Sequence, residues 1–177
     1  MVYHETQKFQ YCAIHAVNAL LGYAAFTVQD FEQVAKQLGK ETGYVGQPYR
    51  SLLGLGDYDV NVIGRILQCK GLEIEWQDKR VTPQLERFHE PHIVGLLINV
   101  YIRRWWRFWG SSRHWSTIKL IQDKYYWLDS FNQSPIVWTE PCCVEHYLQQ
   151  LLLQDGELLW IKQIEQDRSL HSCNRWV

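Results

Sequence analysis

Cys12-Ala13-Ile14-His15-Ala16-Val17-Asn18-Ala19-Leu20-Leu21-Gly22 is the stretch from which the fold can be read. Ala13, Ala16, Val17, Leu20 and Leu21 recur at helical spacing, and Gly22 is a natural stop. The spacing predicts a helix that opens on a cysteine. Further along, Thr27 and Asp30 predict a capping box in which Asp replaces the usual Glu. Phe31, Val34, Ala35 and Leu38 continue that second helix to an expected end at Gly39. From Gly39 to Gly56 the chain reads mostly as loop. Val60, Ile63, Ile66 and Leu67 then predict a third helix within Asp59 to Cys69, closed by Gly71.

Beyond residue 71 the pattern changes to short β-branched or aromatic runs separated by turn residues. Strands are expected at Leu72 to Trp76, Ile93 to Tyr101, Trp115 to Ile121, Tyr125 to Leu128 and Leu158 to Ile164. One more helix is expected from Val144 to Leu153, after Pro141. Helices first and strands later imply an α+β fold, an antiparallel sheet with helices packed on it. Residues 1–166 are read as the domain and 167–177 as a polar tail.

The composition narrows the function classes. A chain of 177 residues with 46% hydrophobic and 21% charged side chains is globular, which excludes disordered and fibrous classes. Lys and Arg number 18 against 19 acidic residues, a net charge of -1, so no basic footprint for nucleic acid exists. No run approaches the ~18 apolar residues of a membrane span. The polar start Met1-Val2-Tyr3-His4-Glu5 lacks the apolar core of a secretory signal. Five cysteines without a C-x-x-C pair give no metal or disulfide framework. The expectation is a monomeric cytoplasmic protein with reduced thiols and no cofactor or metal.

The opening helix carries the chemistry. A helix N-terminus presents unpaired N–H groups and about half a positive charge, which favours thiolate over thiol at Cys12. On position alone, a small core side chain is the commoner reading. A thiolate nucleophile also needs a base, and the base an orienting group. His114 begins one expected strand and Asp129 closes the next. If the two form a hairpin, the base and a carboxylate lie side by side, although a surface histidine and a turn aspartate fit the same spacing. Gln7, shortly before Cys12, could turn its amide toward the same centre as an oxyanion donor.

Three separated blocks carry a family resemblance. Tyr3-His4-Glu5-Thr6-Gln7 followed by Cys12-Ala13-Ile14-His15 is the first, Arg50 to Ile63 the second, and His114-Trp115 with Leu128-Asp129-Ser130 the third. Together with Trp76-Gln77-Asp78-Lys79-Arg80, they resemble the Josephin family of cysteine deubiquitinases, most of all its short stand-alone members. The resemblance implies a papain-like fold and a thiol hydrolase that cleaves ubiquitin from its conjugates. It implies Cys12 as nucleophile, His114 as base, Asp129 as the orienting acid and Gln7 as oxyanion donor, with Trp115 a candidate substrate contact. A Cys-His-Asp acyltransferase and a non-catalytic ubiquitin-binding module remain the alternatives.

Other clusters have plainer readings. His15 is better read as a hydrogen-bonded core histidine than as a metal partner of Cys12. Cys142, Cys143 and His146 at a helix start lack a further ligand. Arg103-Arg104-Trp105-Trp106-Arg107-Phe108-Trp109 fits an outer strand and loop whose arginines stack on aromatic faces. A lip of the substrate cleft, a membrane-interface patch and a single-stranded nucleic-acid platform rank below that reading.

Overall fold

A computed structural model describes residues 2–7, 11–43, 58–102 and 112–165. In chain order the elements are α1 (Cys12–Leu21), α2 (Val28–Glu41), α3 (Val60–Gln68), β1 (Leu72–Trp76) and a 3₁₀ turn (Leu85–His89). Then follow β2 (Ile93–Ile102), β3 (Ser112–Ile121), β4 (Lys124–Leu128), β5 (Ile136–Trp138), α4 (Pro141–Leu153) and β6 (Glu157–Gln163). The strands form one sheet in the order β1-β6-β2-β3-β4-β5, and every neighbouring pair is antiparallel.

The two central strands explain why the second half reads as unbroken apolar runs. Along β2, Leu97 faces a cluster with α1 and α3, whereas Leu96 and Ile98 face another with α4. Along β6, Leu159 and Ile161 take the first side and Leu158 and Trp160 the second. A strand covered on both faces has no polar side to alternate with. The fold is therefore α+β, with three helices on one face of the sheet and α4 on the other.

Local chemistry sets the helix ends. Gly22 caps α1 in the left-handed conformation (φ 86°), and its N–H donates to the Asn18 carbonyl. Asn18 is itself buried. Its side chain accepts from the Ala25 and Phe26 N–H groups and donates to the Phe26 carbonyl, which fixes the path into α2. The Thr27–Asp30 capping box is formed in both directions. Gly39, expected as the end of α2, lies inside the helix, which continues to Glu41. The residue at positive φ is Gly43, because Gly39 is buried in the helix and meets no need for a left-handed turn. Pro141 is the first residue of α4, where its missing N–H costs nothing.

One glycine brings the cysteine helix onto the sheet. A Cβ on Gly95 of β2 would meet the Ile118 carbonyl oxygen and the Leu20 Cδ1 at 2.8 Å each. Only a residue without a side chain lets α1 lie this close to β2 and β3. Most of the loop expected from Gly39 to Gly56, the Arg50 block up to residue 57, the Arg103–Trp109 segment and the 167–177 tail lie outside the described residues.

Candidate active site

Cys12 is the first residue of α1 and is buried. Among the described residues no side chain caps this helix, and no acid sits in its first turn. The positive end of the helix is thus directed at the sulfur without a competing carboxylate.

The hairpin β3–β4 supplies the other two groups. Gln122 and Asp123 both have positive φ (49° and 59°), forming a two-residue turn of the kind whose twist suits a hairpin. Such a turn fixes the register, which runs from Ile121 opposite Lys124 to Thr117 opposite Leu128. One step further, Asp129 comes opposite Ser116. By the two-residue alternation it then shares a face with His114. His114 Nε2 donates to Asp129 Oδ1 at 2.7 Å, with the two residues only 3% and 6% exposed. An ionised carboxylate can only accept, so the proton lies on Nε2. His114 also hydrogen-bonds the Cys12 side chain, which leaves Nδ1 as the nitrogen free to take the thiol proton.

The electrostatics follow from these contacts. Burial pulls the His114 pKa down, but the hydrogen bonds and charges of Asp129 and Cys12 outweigh it. The net result is a pKa pushed up to about 9. A thiol beside an imidazole of that basicity can pass its proton to the ring and persist as a thiolate–imidazolium pair.

Asp129 is held in turn. Its Oδ1 also accepts from the Phe131 N–H at 2.9 Å, and its backbone carbonyl accepts from the Asn132 N–H. The Phe131 ring stacks on His114, with centroids 4.0 Å apart and planes 12° apart. Below them, Trp127, Trp138 and Tyr147 form an aromatic cluster that joins β4, β5 and α4. Burial, and then the Asp129 charge, push the Tyr147 hydroxyl above its ordinary pKa.

The N-terminal segment ties both halves together. Gln7 N–H donates to the Ser130 carbonyl at 2.7 Å, and Ser130 Oγ donates to Gln7 Oε1 at 3.0 Å. His4 Nε2 hydrogen-bonds the Asn132 carbonyl. Glu5 is bound by the Tyr3 hydroxyl on one carboxylate oxygen and by His15 Nδ1 on the other. His15 lies one turn beyond Cys12, so this segment links the cysteine helix to the turn that carries Asp129. The sequence placed Gln7 near the centre, and the structure seats it against Ser130. With Oε1 engaged there, the amide is oriented by a contact that sequence spacing alone does not reveal.

Trp115 is placed otherwise than expected. It is 2% exposed, packs with Cys12, Leu97 and Val62 in the core, and donates from Nε1 to the Tyr58 carbonyl. The strand alternation that turns His114 to Asp129 turns its neighbour Trp115 into the helical side. Its ring packs in the core beside α1. His15, weighed as a metal partner, is committed to Glu5. Phe131, Ser130 and Tyr147 were missed by sequence reasoning. The Asp-Ser-Phe-Asn-Gln-Ser-Pro composition from Asp129 to Pro135 signals an Asx turn, which could have found the first two.

Comparison with known proteins bears on this arrangement. The family model described as Josephin matches residues 7–162. Josephin-2 from Homo sapiens is 33% identical over 164 residues, covering 86% of this chain and 81% of that protein. A Josephin-like protein from Drosophila melanogaster is 31% identical over 182 residues, covering 99% of this chain and 80% of that protein. Ataxin-3 from Homo sapiens is 24% identical over 155 residues, 76% of this chain and 38% of the relative.

Proposed function

The chain belongs to the Josephin family, and from that premise we propose that it is a thiol-dependent deubiquitinase. The observation that carries the reading is His114, which hydrogen-bonds the Cys12 side chain and, through Nε2, the Asp129 carboxylate. Family membership supplies the substrate class, ubiquitin joined through its C-terminal glycine to a lysine amine.

In this reading the Cys12 proton passes to His114 Nδ1, and the sulfur attacks the glycine carbonyl carbon. The Gln7 side-chain amide and the Cys12 backbone N–H stabilise the oxyanion. As the tetrahedral species collapses, the C–N bond breaks and His114 gives its proton to the leaving lysine amine. Water, deprotonated by the same imidazole, then attacks the thioester and releases ubiquitin with a free carboxylate. Asp129 keeps the ring in the tautomer that each step requires. The free thiols of Cys12, Cys69, Cys142 and Cys143 support placing the activity in the reducing cytoplasm.

The test is release of free ubiquitin from an isopeptide-linked conjugate in buffer containing no added amine. Release under these conditions distinguishes hydrolysis from acyl transfer, which needs an acceptor. Binding of ubiquitin without any cleavage would overturn the reading in favour of a binding module. In the same assay, Gln7→Ala is expected to lower kcat about 100-fold, the usual loss for one oxyanion donor. A loss below about threefold would remove Gln7 from the reacting centre, because a merely structural glutamine carries no such burden.

A further inference from the structure

Phe131 contacts both members of the base–acid pair, and the mechanism above does not use it. Its N–H donates to Asp129 Oδ1 at 2.9 Å, and its ring lies flat over the His114 imidazole. His114 and Asp129 are almost fully buried, yet Phe131 beside them is 47% exposed.

We propose that Phe131 is a positioning residue for His114: its stacked ring excludes water from the His114–Asp129 hydrogen bond and fixes the imidazole plane toward Cys12. Two physical effects support this. Water admitted beside the pair would raise the local dielectric and weaken both the Asp129 and the Cys12 interactions. A ring face over the imidazole also favours its cationic form through the aromatic quadrupole. Both effects stabilise the thiolate–imidazolium pair, and both vanish with the ring. Among the described residues, the titratable groups facing His114 are Cys12 from α1 and Asp129 after β4, while Tyr147 from α4 faces Asp129. The proposal rests on the thiol chemistry assigned above, so its test includes a readout that needs no ubiquitin.

That readout is the pH dependence of Cys12 alkylation by chloroacetamide, followed by peptide mass mapping to separate Cys12 from the exposed cysteines. In Phe131→Ala, the acid-side rise in Cys12 reactivity is expected to move up by about half a pH unit or more, because the imidazolium partner is weakened. With ubiquitin conjugate, kcat is expected to fall about 10- to 100-fold with KM within about twofold, and the alkaline limb of kcat to move to lower pH. Phe131→Leu, which restores apolar cover, is expected to recover most of each change. If Phe131→Ala melts early, Phe131→Gln takes its place, since a polar side chain fills the site without excluding water. Unmoved limbs with kcat within about twofold would overturn the proposal. So would a rise in KM alone, which would make Phe131 a substrate wall. A shifted alkylation profile in a protein that never cleaves ubiquitin would uphold the positioning role and count against the deubiquitinase reading alone.

Discussion

Cys12→Ala is expected to abolish covalent capture by ubiquitin carrying a C-terminal electrophile, read as loss of the one-ubiquitin adduct in the intact mass. Turnover of an isopeptide-linked conjugate is expected to fall at least about 10⁴-fold, as when the nucleophile of a triad is deleted. The size follows from how singular this sulfur is. Among the described cysteines, it alone hydrogen-bonds an imidazole that is itself held by a carboxylate. Cys69, Cys142 and Cys143 are exposed and stand elsewhere. The Cys143 thiol is moreover pushed up, by local desolvation first and then by Cys142 and Glu140, which leaves less thiolate. Because the removed atom is the Sγ of a small side chain at the start of α1, ubiquitin binding is expected to persist. Adduct formation by Cys12→Ala at a rate near that of the natural protein would place the nucleophile at another cysteine.

How much of this site could be read in advance depended on whether the responsible force was local. Cys12 was legible because helix spacing after it is regular and Gly22 ends it, both properties of adjacent residues. His114 and Asp129 were legible as a pair only through the hairpin, and the register that joins them is set by Gln122 and Asp123. Neither is glycine or asparagine–glycine, so the turn left no strong signal. Phe131, Glu5 and Ser130 act through contacts that span the sheet or the N-terminal segment. Only the Asx turn that joins Asp129 to the Phe131 N–H is local; the Phe131 ring on His114, the Ser130 bond to Gln7 and the Glu5 bond to His15 are tertiary. Trp115 shows the same alternation from the other side. It follows His114 directly, and because a strand sends neighbours to opposite faces it joins the core beside α1.

The fold followed the same division. Central strands were found because burial on both sides makes them continuously apolar. The β5 strand (Ile136–Trp138) was not found, since three residues with Ile136 and Val137 exposed give neither run nor alternation. It is held through Trp138, which joins Trp127 and Tyr147. Gly39 misled because helix propensity penalises glycine by only about 1 kcal/mol, a cost that burial against neighbouring side chains outweighs.

Asp129→Ala is the second large loss expected, about 10²- to 10³-fold in kcat, less than for Cys12 because the sulfur and imidazole remain in place. The variant leaves His114 Nε2 and the Phe131 N–H without their acceptor in a buried site, so both the tautomer and the turn are released. Asp129→Asn separates charge from hydrogen bonding. It keeps an acceptor oxygen and is expected to retain more activity than Ala, but with the alkaline limb moved down from about 9. Stability gives an independent reading of the same interaction. The His114 pKa is raised from 6.5 in the unfolded chain to about 9 in the fold, so its contribution is complete below pH 6.5. Between those values the native state holds the extra proton, and stability falls as pH rises. The natural protein is therefore expected to lose melting temperature from pH 6.5 to pH 9 more steeply than Asp129→Asn. In the variant the attraction that raised the pKa is largely gone, and burial, which lowers it, has less opposition. Parallel melting curves for the two across that window would mean that Asp129 orients the ring without charging it.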